Sequence, residues 1–557
     1  MVRQRRASNY ISGIRSATGQ WLSEAEDIKS SAAAFFQALF SSDRNTDWQL
    51  VLPFALPQVS QGDNESMLAL PTTDEVREVV FSISPDSAPG PDGFGSGFYQ
   101  VCWEIIKDSL VAAIQDFFRG GWLPKGITST LIVLIPKIQG ATRWQDFRPI
   151  SLCNVSSKII SKLVSNRLNL LLPKLISPWQ SGFVPGRQIV DNILLAQEHA
   201  NELDRRLEVP NLLLKLDMEK AYDRVEWSFL LFMLRSFGFQ EPAVDLIFRL
   251  VANNWFSVLV NGEPAGFFKS TRGVRQGDPI SPGLFVLVAE FFGKGLYSLF
   301  QHGRHRFFQA GGIKIPYLAF ADDVIIFTRL AQETLEAISD FFKRYQQYSG
   351  QKINVAKSGF VCSSWVSETQ VELVASILGF QRQFLPMVYL GVPISRGRCT
   401  SIAFDGILAK VRARIGHGSG QLLSMGEKLI LIKHVLNSMP LYLLQVLKPP
   451  KAVLVALGRL FNSFLWDKSK NDKRTHWASW EKLYFPTEEG GLGVRLLDDM
   501  VKAFSYKLWW RLRQRGSLWS DFMFSKYIGN QYPLQADVAR PTGTWKRLLG
   551  IREVAEA

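Results

Sequence analysis

KLDMEKAYDRVEW at Lys215–Trp227 and YLAFADDVIIF at Tyr317–Phe327 are the two stretches that decide how this chain is read. The first closes an apolar run, Asn211–Asp217, which predicts a buried strand ending on a carboxylate. In the second, two apolar runs flank Ala-Asp-Asp, which predicts a β-hairpin with Asp322 and Asp323 at its tip. If the strands are neighbours, Asp217, Asp322 and Asp323 meet at one sheet edge. Converging carboxylates suit Mg2+, a hard cation that needs few protein ligands when a triphosphate and water supply the rest. Two such ions, roughly 3.5–4 Å apart, clamp the attacking and leaving oxygens of an in-line displacement at phosphorus. Paired aspartates also occur as plain solvated turn residues. The surrounding sequence therefore has to carry the assignment.

Working outward, Leu70–Ile83 predicts a helix capped by Thr72 or Thr73. Ser84–Tyr99 (SPDSAPGPDGFGSGFY) holds too much proline and glycine for a regular element and predicts an ordered, functional loop. Thr130–Lys137 reads as a short buried strand, followed by a long helix from about Asn154. Other helices are expected at Ala25–Phe40, which is amphipathic and runs into the turn-rich Ser41–Gln49, at Trp227–Phe237 and from about Pro282. Gly283–Phe300 is interrupted by Glu290 and Lys294 and reads as too polar for a bilayer, hence as a buried helix. Leu335, Ile338, Phe342 and Tyr345 share one face of a later helix. From about Gly397 the chain reads as helical and basic down to KLWWRLRQR at Lys507–Arg515, with Trp509 and Trp510 expected in the core. Strands in the middle and helices at the end give an α+β class.

Among 557 residues, 64 Lys and Arg stand against 50 Asp and Glu, a formal net charge of +14. Such an excess is either a solvated basic surface or the footprint of a polyanion, with nucleic acid the first candidate. Cys102, Cys153, Cys362 and Cys399 are scattered, which excludes a disulfide framework and a zinc site of the paired-cysteine type. His302 and His305 read as solvated residues of a basic turn. Met1–Gln20 has no apolar core of a signal peptide, so the expectation is a soluble, intracellular protein, with MVRQRR a short candidate nuclear signal.

KLDMEKAYDRVEW, RGVRQGDPISPGLFVLVAE, YLAFADDVIIF, GQKINVAKSGF and YLGVPI follow one another in order. This series resembles the successive motifs of non-LTR (LINE-type) retrotransposon reverse transcriptases, particularly those of plant genomes. Upstream, SAPGPDGF, LIPK and DFRPISL resemble that family's finger motifs. The resemblance is strong over roughly residues 70–400. It implies a right-hand polymerase with fingers, a palm built on an antiparallel sheet, a thumb and a helical C-terminal extension. The implied divisions are a helical N-terminal linker region at 1–69, fingers and palm at 70–395, a thumb-like region at 396–470 and the extension at 471–557. The implied activity is RNA-directed DNA synthesis on an RNA template from a DNA primer or target DNA, using dNTPs and two Mg2+ ions, with Mn2+ as a substitute.

The resemblance also distributes roles. Asp217 is implied as first metal ligand with the Met218 carbonyl nearby, Asp322 as the second shared ligand and Asp323 as its less directly coordinating neighbour. Tyr222 matches an aromatic gate under the incoming sugar, where a flat ring leaves no room for the 2′-OH that marks a ribonucleotide. A buried core tyrosine is the other reading. Asp223 and Arg224 are expected as a structural ion pair. Gln276 and Gly277 are implied against the nascent base pair, Lys137 and Arg148 on the triphosphate, and Lys357 on the leaving pyrophosphate. Gly90, Pro91, Asp92 and Gly93 resemble a template-contacting loop, and Tyr389, Leu390 and Gly391 a primer-grip hairpin. Arg412, Arg414, Lys428 and Lys433 are expected on a phosphate-facing thumb surface, giving sequence-independent, salt-sensitive contacts.

Members of this family carry an endonuclease before the polymerase and a Cys/His-rich segment after it. This chain is expected to be a truncated member that starts in the intervening linker and stops before any zinc pattern. Met425–Lys428 (MGEK) departs from the glycine-arginine often seen there, which weakens that phosphate contact. Two rivals remain: a catalytically silent, maturase-like RNA-binding scaffold, and an RNA-templated RNA polymerase, against which Tyr222 argues.

Overall fold

The computed structural model describes residues 9–16, 18–42, 52–301, 307–416, 423–467, 475–478, 480–536, 538 and 540–557. The MVRQRR start, His302 and His305, and most of Ser41–Gln49 lie outside the described residues. The chain forms two compact units, one of Met1–Gly186, Leu216–His305 and Glu333–Ser358, the other of Arg187–Lys215, Arg306–Gln332 and Gly359–Ala557. Each combines sheet and helix, as the α+β reading expects.

The first unit holds a four-stranded sheet in the order Phe147–Cys153, Ser129–Pro136, Trp255–Val260, Glu263–Lys269. Its two middle strands run parallel and the outer pairs antiparallel. Helix Ala25–Phe40 packs on one face through Ile28, Ala32, Phe36 and Phe40, against Ile132, Phe256, Val258 and Phe268. Each such side chain, fully buried, contributes about 1.5–3 kcal/mol. The strand predicted over Thr130–Lys137 is real but only half-buried. Ile132 is fully buried and Ile135 is 48% exposed, because only one face of the sheet meets a helix.

Thr72 caps helix Thr73–Ser82, its side chain accepting from the Glu75 N–H. Helix Val155–Leu175 starts directly after Asn154. Gly90 abuts Asn154 so closely that any Cβ there would collide with its backbone and amide, and the Asp92 N–H donates to Asn154 Oδ1 (3.2 Å). The proline- and glycine-rich loop is thus fastened to the start of this helix. Helix Ser281–Gln301 corrects one expectation. By length and composition it is apolar enough to cross a membrane, and burial of 72% of that span inside the unit is what makes it a core helix. Leu335, Ile338, Phe342 and Tyr345 are all buried on helix Gln332–Ser349, as their spacing predicted.

The second unit is built on a five-stranded sheet in the order Gln381–Arg382, Gly359–Cys362, Asn211–Leu216, Asp323–Arg329, Tyr317–Phe320. Asn211–Leu216 is its middle strand, with Leu212, Leu213, Leu214 and Leu216 fully buried, which is why that sequence reads as an unbroken apolar run. Helix Ile189–Asn201, buried along nearly all its length, touches strands Tyr317–Phe320 and Val392–Ile394 and helices Leu441–Val446 and Leu518–Met523. The last helices converge on Arg547, which donates to the Leu444, Gln445 and Val501 carbonyls and to Ser505 Oγ. Burial lowers its pKa to about 10. Trp509 is core, its indole N–H donating to Glu556 (2.7 Å), whereas Trp510 is 63% exposed. Consecutive helical residues differ by about 100° in direction, so both could not face the core.

Candidate functional site

In the second unit the predicted hairpin is present. Phe320 pairs with Asp323, leaving Ala321 and Asp322 as the turn, with Ala321 in the left-handed region (φ 57°). A non-glycine residue held there is strained, and such strain concentrates at functional sites. Asp322 and Asp323 are both half-buried. The strand below is braced from behind, since Asn192 Nδ2 donates to the Ala319 carbonyl (2.8 Å) and lies 3.5 Å from the Tyr389 hydroxyl.

Tyr389 closes strand Met387–Tyr389, which returns as Val392–Ile394 through a turn at Leu390 and Gly391. The Tyr442 hydroxyl donates to the Leu390 carbonyl (2.6 Å) and fixes that turn. Tyr389 itself is buried and its hydroxyl pKa is raised by burial. Its side chain is a packing element, whereas Gly391 in the turn is exposed.

Asp217 directly follows the middle strand of that sheet and is counted with the first unit. There its N–H donates to Ser358 Oγ (3.1 Å), its carbonyl accepts from the Asn354 N–H (2.8 Å), and the Glu219 N–H donates to the Lys352 carbonyl (2.7 Å). These bonds flank a bridge between Met218 and Ile353 and do not use the Met218 carbonyl. Lys357 Nζ lies 3.9 Å from Asp217 Oδ2. Among the described residues no group of three or more His, Cys, Asp or Glu is gathered as a metal site, so the donors are described element by element. The carboxylates of Asp217, Asp322 and Asp323 and the Met218 carbonyl are hard oxygens of the kind Mg2+ takes.

Lys357, beside Asp217, also acts on Lys137. Lys137 has its pKa lowered first by burial, then by the charges of Lys357 and Arg148. Lys137 therefore feels both Arg148 of its own hairpin and Lys357 from a distant stretch. Lys137 also donates to the Gln145 carbonyl (3.0 Å), and Arg148 sits opposite Ile135 in the sheet. Gathered cations repel and disfavour their own charged forms; a polyanion would relieve that repulsion.

Tyr222 opens a short helical turn, Tyr222–Arg224. Its ring stacks on Phe285 (4.8 Å, 12°) and meets Phe183 edge-on (6.4 Å). It is half-buried, not sealed in the core. Its carbonyl accepts from the Val274 N–H (2.9 Å), tying it to the Gln276–Gly277 loop. The Gln276 carbonyl accepts from the Ser151 N–H (2.8 Å), and a Cβ on Gly277 (φ 116°) would stand 3.0 Å from the Ser151 carbonyl oxygen. Only glycine fits this approach without strain. Behind it, Asp278 pairs with Arg275 and accepts from Ser161, all three buried. Lys137, Arg148, Tyr222, Gln276, Gly277 and Lys357 thus all belong to one unit.

Arg224 pairs with Glu219 (3.5 Å), not with Asp223 as expected. Asp223 is buried, and burial raises its pKa from 3.8 to about 6 against the pull of Lys220 and Lys137. A carboxyl whose folded pKa exceeds its unfolded one favours folding at low pH and loses that contribution as pH rises through the folded value. Between pH 4 and 6.5, wild type should lose about 2 kcal/mol of stability relative to Asp223→Asn. Parallel melting curves of the two proteins across that range would rule this out.

Arg412 and Arg414 are exposed on helix Asp405–Gly416, as a phosphate-facing surface requires, and Lys433 is half-buried. Lys428 does not fit that surface. It is buried, with its ammonium donating to the Asp467 carbonyl (3.0 Å) and lying over the Phe464 ring. Two features escaped the sequence reading. Lys220, in the left-handed region (φ 50°), lies over Phe35 of helix Ala25–Phe40. Buried Glu198 gathers three donors from the chain's last fifth. A lysine inside a polymerase-like motif and a lone glutamate on an apolar helix gave no sequence signal.

Residues 135–394 match the family model described as reverse transcriptase (RNA-dependent DNA polymerase). Among curated proteins, the transposon TX1 uncharacterized 149 kDa protein of Xenopus laevis is 29% identical over 87% of this chain and 36% of its own length. The Pol polyprotein from the type-2 retrotransposable element R2DM of Drosophila melanogaster is 30% identical over 49% of this chain and 25% of its own. The RNA-directed DNA polymerase from mobile element jockey of Drosophila funebris is 23% identical over 59% and 36%. The chain therefore spans between a quarter and about a third of the length of these relatives.

Proposed function

We propose that this chain is an RNA-directed DNA polymerase extending a DNA primer on an RNA template, because residues 135–394 match the reverse transcriptase family model and the similar curated proteins come from retrotransposable elements. One observation carries the reading beyond family likeness: Lys357, beside Asp217, comes near Lys137, which shares a hairpin with Arg148. That is the arrangement a triphosphate needs.

In this reading Asp217, Asp322, Asp323 and the Met218 carbonyl hold two Mg2+ ions. The supporting fact is that the strand ending before Asp217 lies next to the strand beginning at Asp323 in one sheet. When bound, the ions activate the primer 3′-OH and neutralise charge building on the phosphates. The protein's own part is positioning. Arg148 and Lys137 grip the triphosphate, Lys357 meets the leaving pyrophosphate, and Gln276 and Gly277 present backbone to the nascent pair. The sheet of the second unit serves as palm, and the helical region carrying Arg412 and Arg414 as thumb. The Gly90–Gly93 loop, exposed over most of its length, and the Leu390–Gly391 turn serve as template and primer contacts.

The test is extension of an oligo(dT) primer on poly(rA) by the purified chain with Mg2+ and dTTP. Incorporation is expected; RNA binding without any incorporation would instead support a scaffold role. Tyr222 gives a second check. Phe285 holds its ring flat, so Tyr222→Ala should raise ribonucleotide use relative to dNTP by about 10- to 100-fold. Unchanged sugar selectivity would remove Tyr222 from the sugar pocket.

A further inference from the structure

We propose that Lys220 is an additional triphosphate-binding residue, and that Phe35, from a helix outside the recognised domain, is the side chain that positions it. The inference rests on the reading of the site as a nucleotide site. Lys220 lies three residues past Asp217, half-buried, with its ammonium 4.3 Å from the centre of the Phe35 ring. The backbone at Lys220 is held at φ 50°, a conformation a lysine adopts only when its surroundings impose it. Its charge acts on Asp223 and Lys137, and Lys137 in turn feels Arg148 and Lys357. An aromatic face holds a cation without neutralising it. The result is an ammonium partly withdrawn from water, facing the carboxylate of Asp223 with Lys137 and Arg224 also near. An anion with several charges would add counter-charge that the one buried carboxylate does not supply.

The same helix braces the rest of the cluster. Trp144 Nε1 donates to Ser31 Oγ (3.0 Å), which anchors the turn between Lys137 and Arg148 to it. At its C-terminal end, the Leu39 carbonyl accepts from Arg272 Nε (2.9 Å) and the Phe40 carbonyl from the Thr271 N–H (2.9 Å). Thr271 and Arg272 lead directly into the loop that carries Gln276 and Gly277. Helix Ala25–Phe40 therefore touches the turn between Lys137 and Arg148, the approach to the Gln276–Gly277 loop and, through Phe35, Lys220.

The experiment uses the full chain with Lys220→Gln, Lys220→Arg and Phe35→Leu, and two readouts. The first is binding of inorganic tripolyphosphate, followed by calorimetry without primer, template or metal. The second is the dNTP KM and the pyrophosphate inhibition constant in primer extension. Losing one charge-assisted contact should weaken tripolyphosphate binding, and raise both constants, by about 10- to 100-fold in Lys220→Gln, with kcat changed less. Lys220→Arg should restore most of the loss and Phe35→Leu should give a smaller rise, by about threefold. A purely structural Lys220 would lower the active fraction and melting temperature and leave KM alone. Unchanged tripolyphosphate affinity in a folded Lys220→Gln protein, or no tripolyphosphate binding by wild type, overturns the proposal. If wild type binds tripolyphosphate through Lys220 but extends no primer, the polymerase reading fails and the anion site stands. If it extends primers and Lys220→Gln keeps wild-type constants, the reverse holds.

Discussion

Asp322→Asn should cut primer extension by at least about 10^3-fold, equivalent to about 4 kcal/mol of transition-state stabilisation. Asparagine matches aspartate in size, so the two-residue turn between Phe320 and Asp323 should keep its shape. What disappears is one negative charge at the hairpin tip. In the two-metal reading that charge holds cations where charge develops on the reacting phosphate, and a neutral amide cannot replace it. Single-turnover extension at saturating dTTP measures the effect directly. Template binding and melting temperature, measured alongside, should stay at wild-type values if the isosteric amide leaves the turn intact. A variant retaining more than a tenth of wild-type rate would remove Asp322 from the metal set. Asp217→Asn should behave alike and should also free Lys357 from its carboxylate neighbour.

Glu198→Ala should be the most damaging single change outside the reacting groups. Glu198 is fully buried and accepts from the Tyr527 hydroxyl (2.6 Å), Thr542 Oγ1 (2.6 Å) and Lys526 Nζ (3.1 Å). Removing one partner of a buried ion pair typically costs about 3–5 kcal/mol, because the remaining charge stays desolvated. Glu202, 2.9 Å from Lys526, softens the loss without replacing the two hydroxyl contacts. Nearby, Arg511 reaches both oxygens of Asp191, and His199 lies between Phe327 of the hairpin and Phe522. Burial lowers the His199 pKa to about 3, so it packs as a neutral ring. Hydrogen exchange in helices Leu518–Met523 and Gly543–Leu549 should accelerate by at least about 10^2-fold in Glu198→Ala. Extension should fall with it, since the same helix carries Asn192 under Ala319. Exchange at the wild-type rate would mean that the terminal helices dock without this carboxylate.

The sequence by itself determined the elements and the chemistry. An unbroken apolar run becomes a strand buried on both faces, two apolar runs around Ala-Asp-Asp become a hairpin, and Thr72 caps its helix through a local hydrogen bond. Each of these follows from interactions within a few residues, which a linear reading can follow. Tertiary structure alone decided what lies beside what. It seated Lys220 on Phe35, turned Lys428 inward while leaving Arg412 and Arg414 in water, separated Trp509 from Trp510, and drew Tyr527 and Thr542 to Glu198. Those outcomes depend on partners scores to hundreds of residues away and on which helix face finds a cover, and neither period nor composition encodes that.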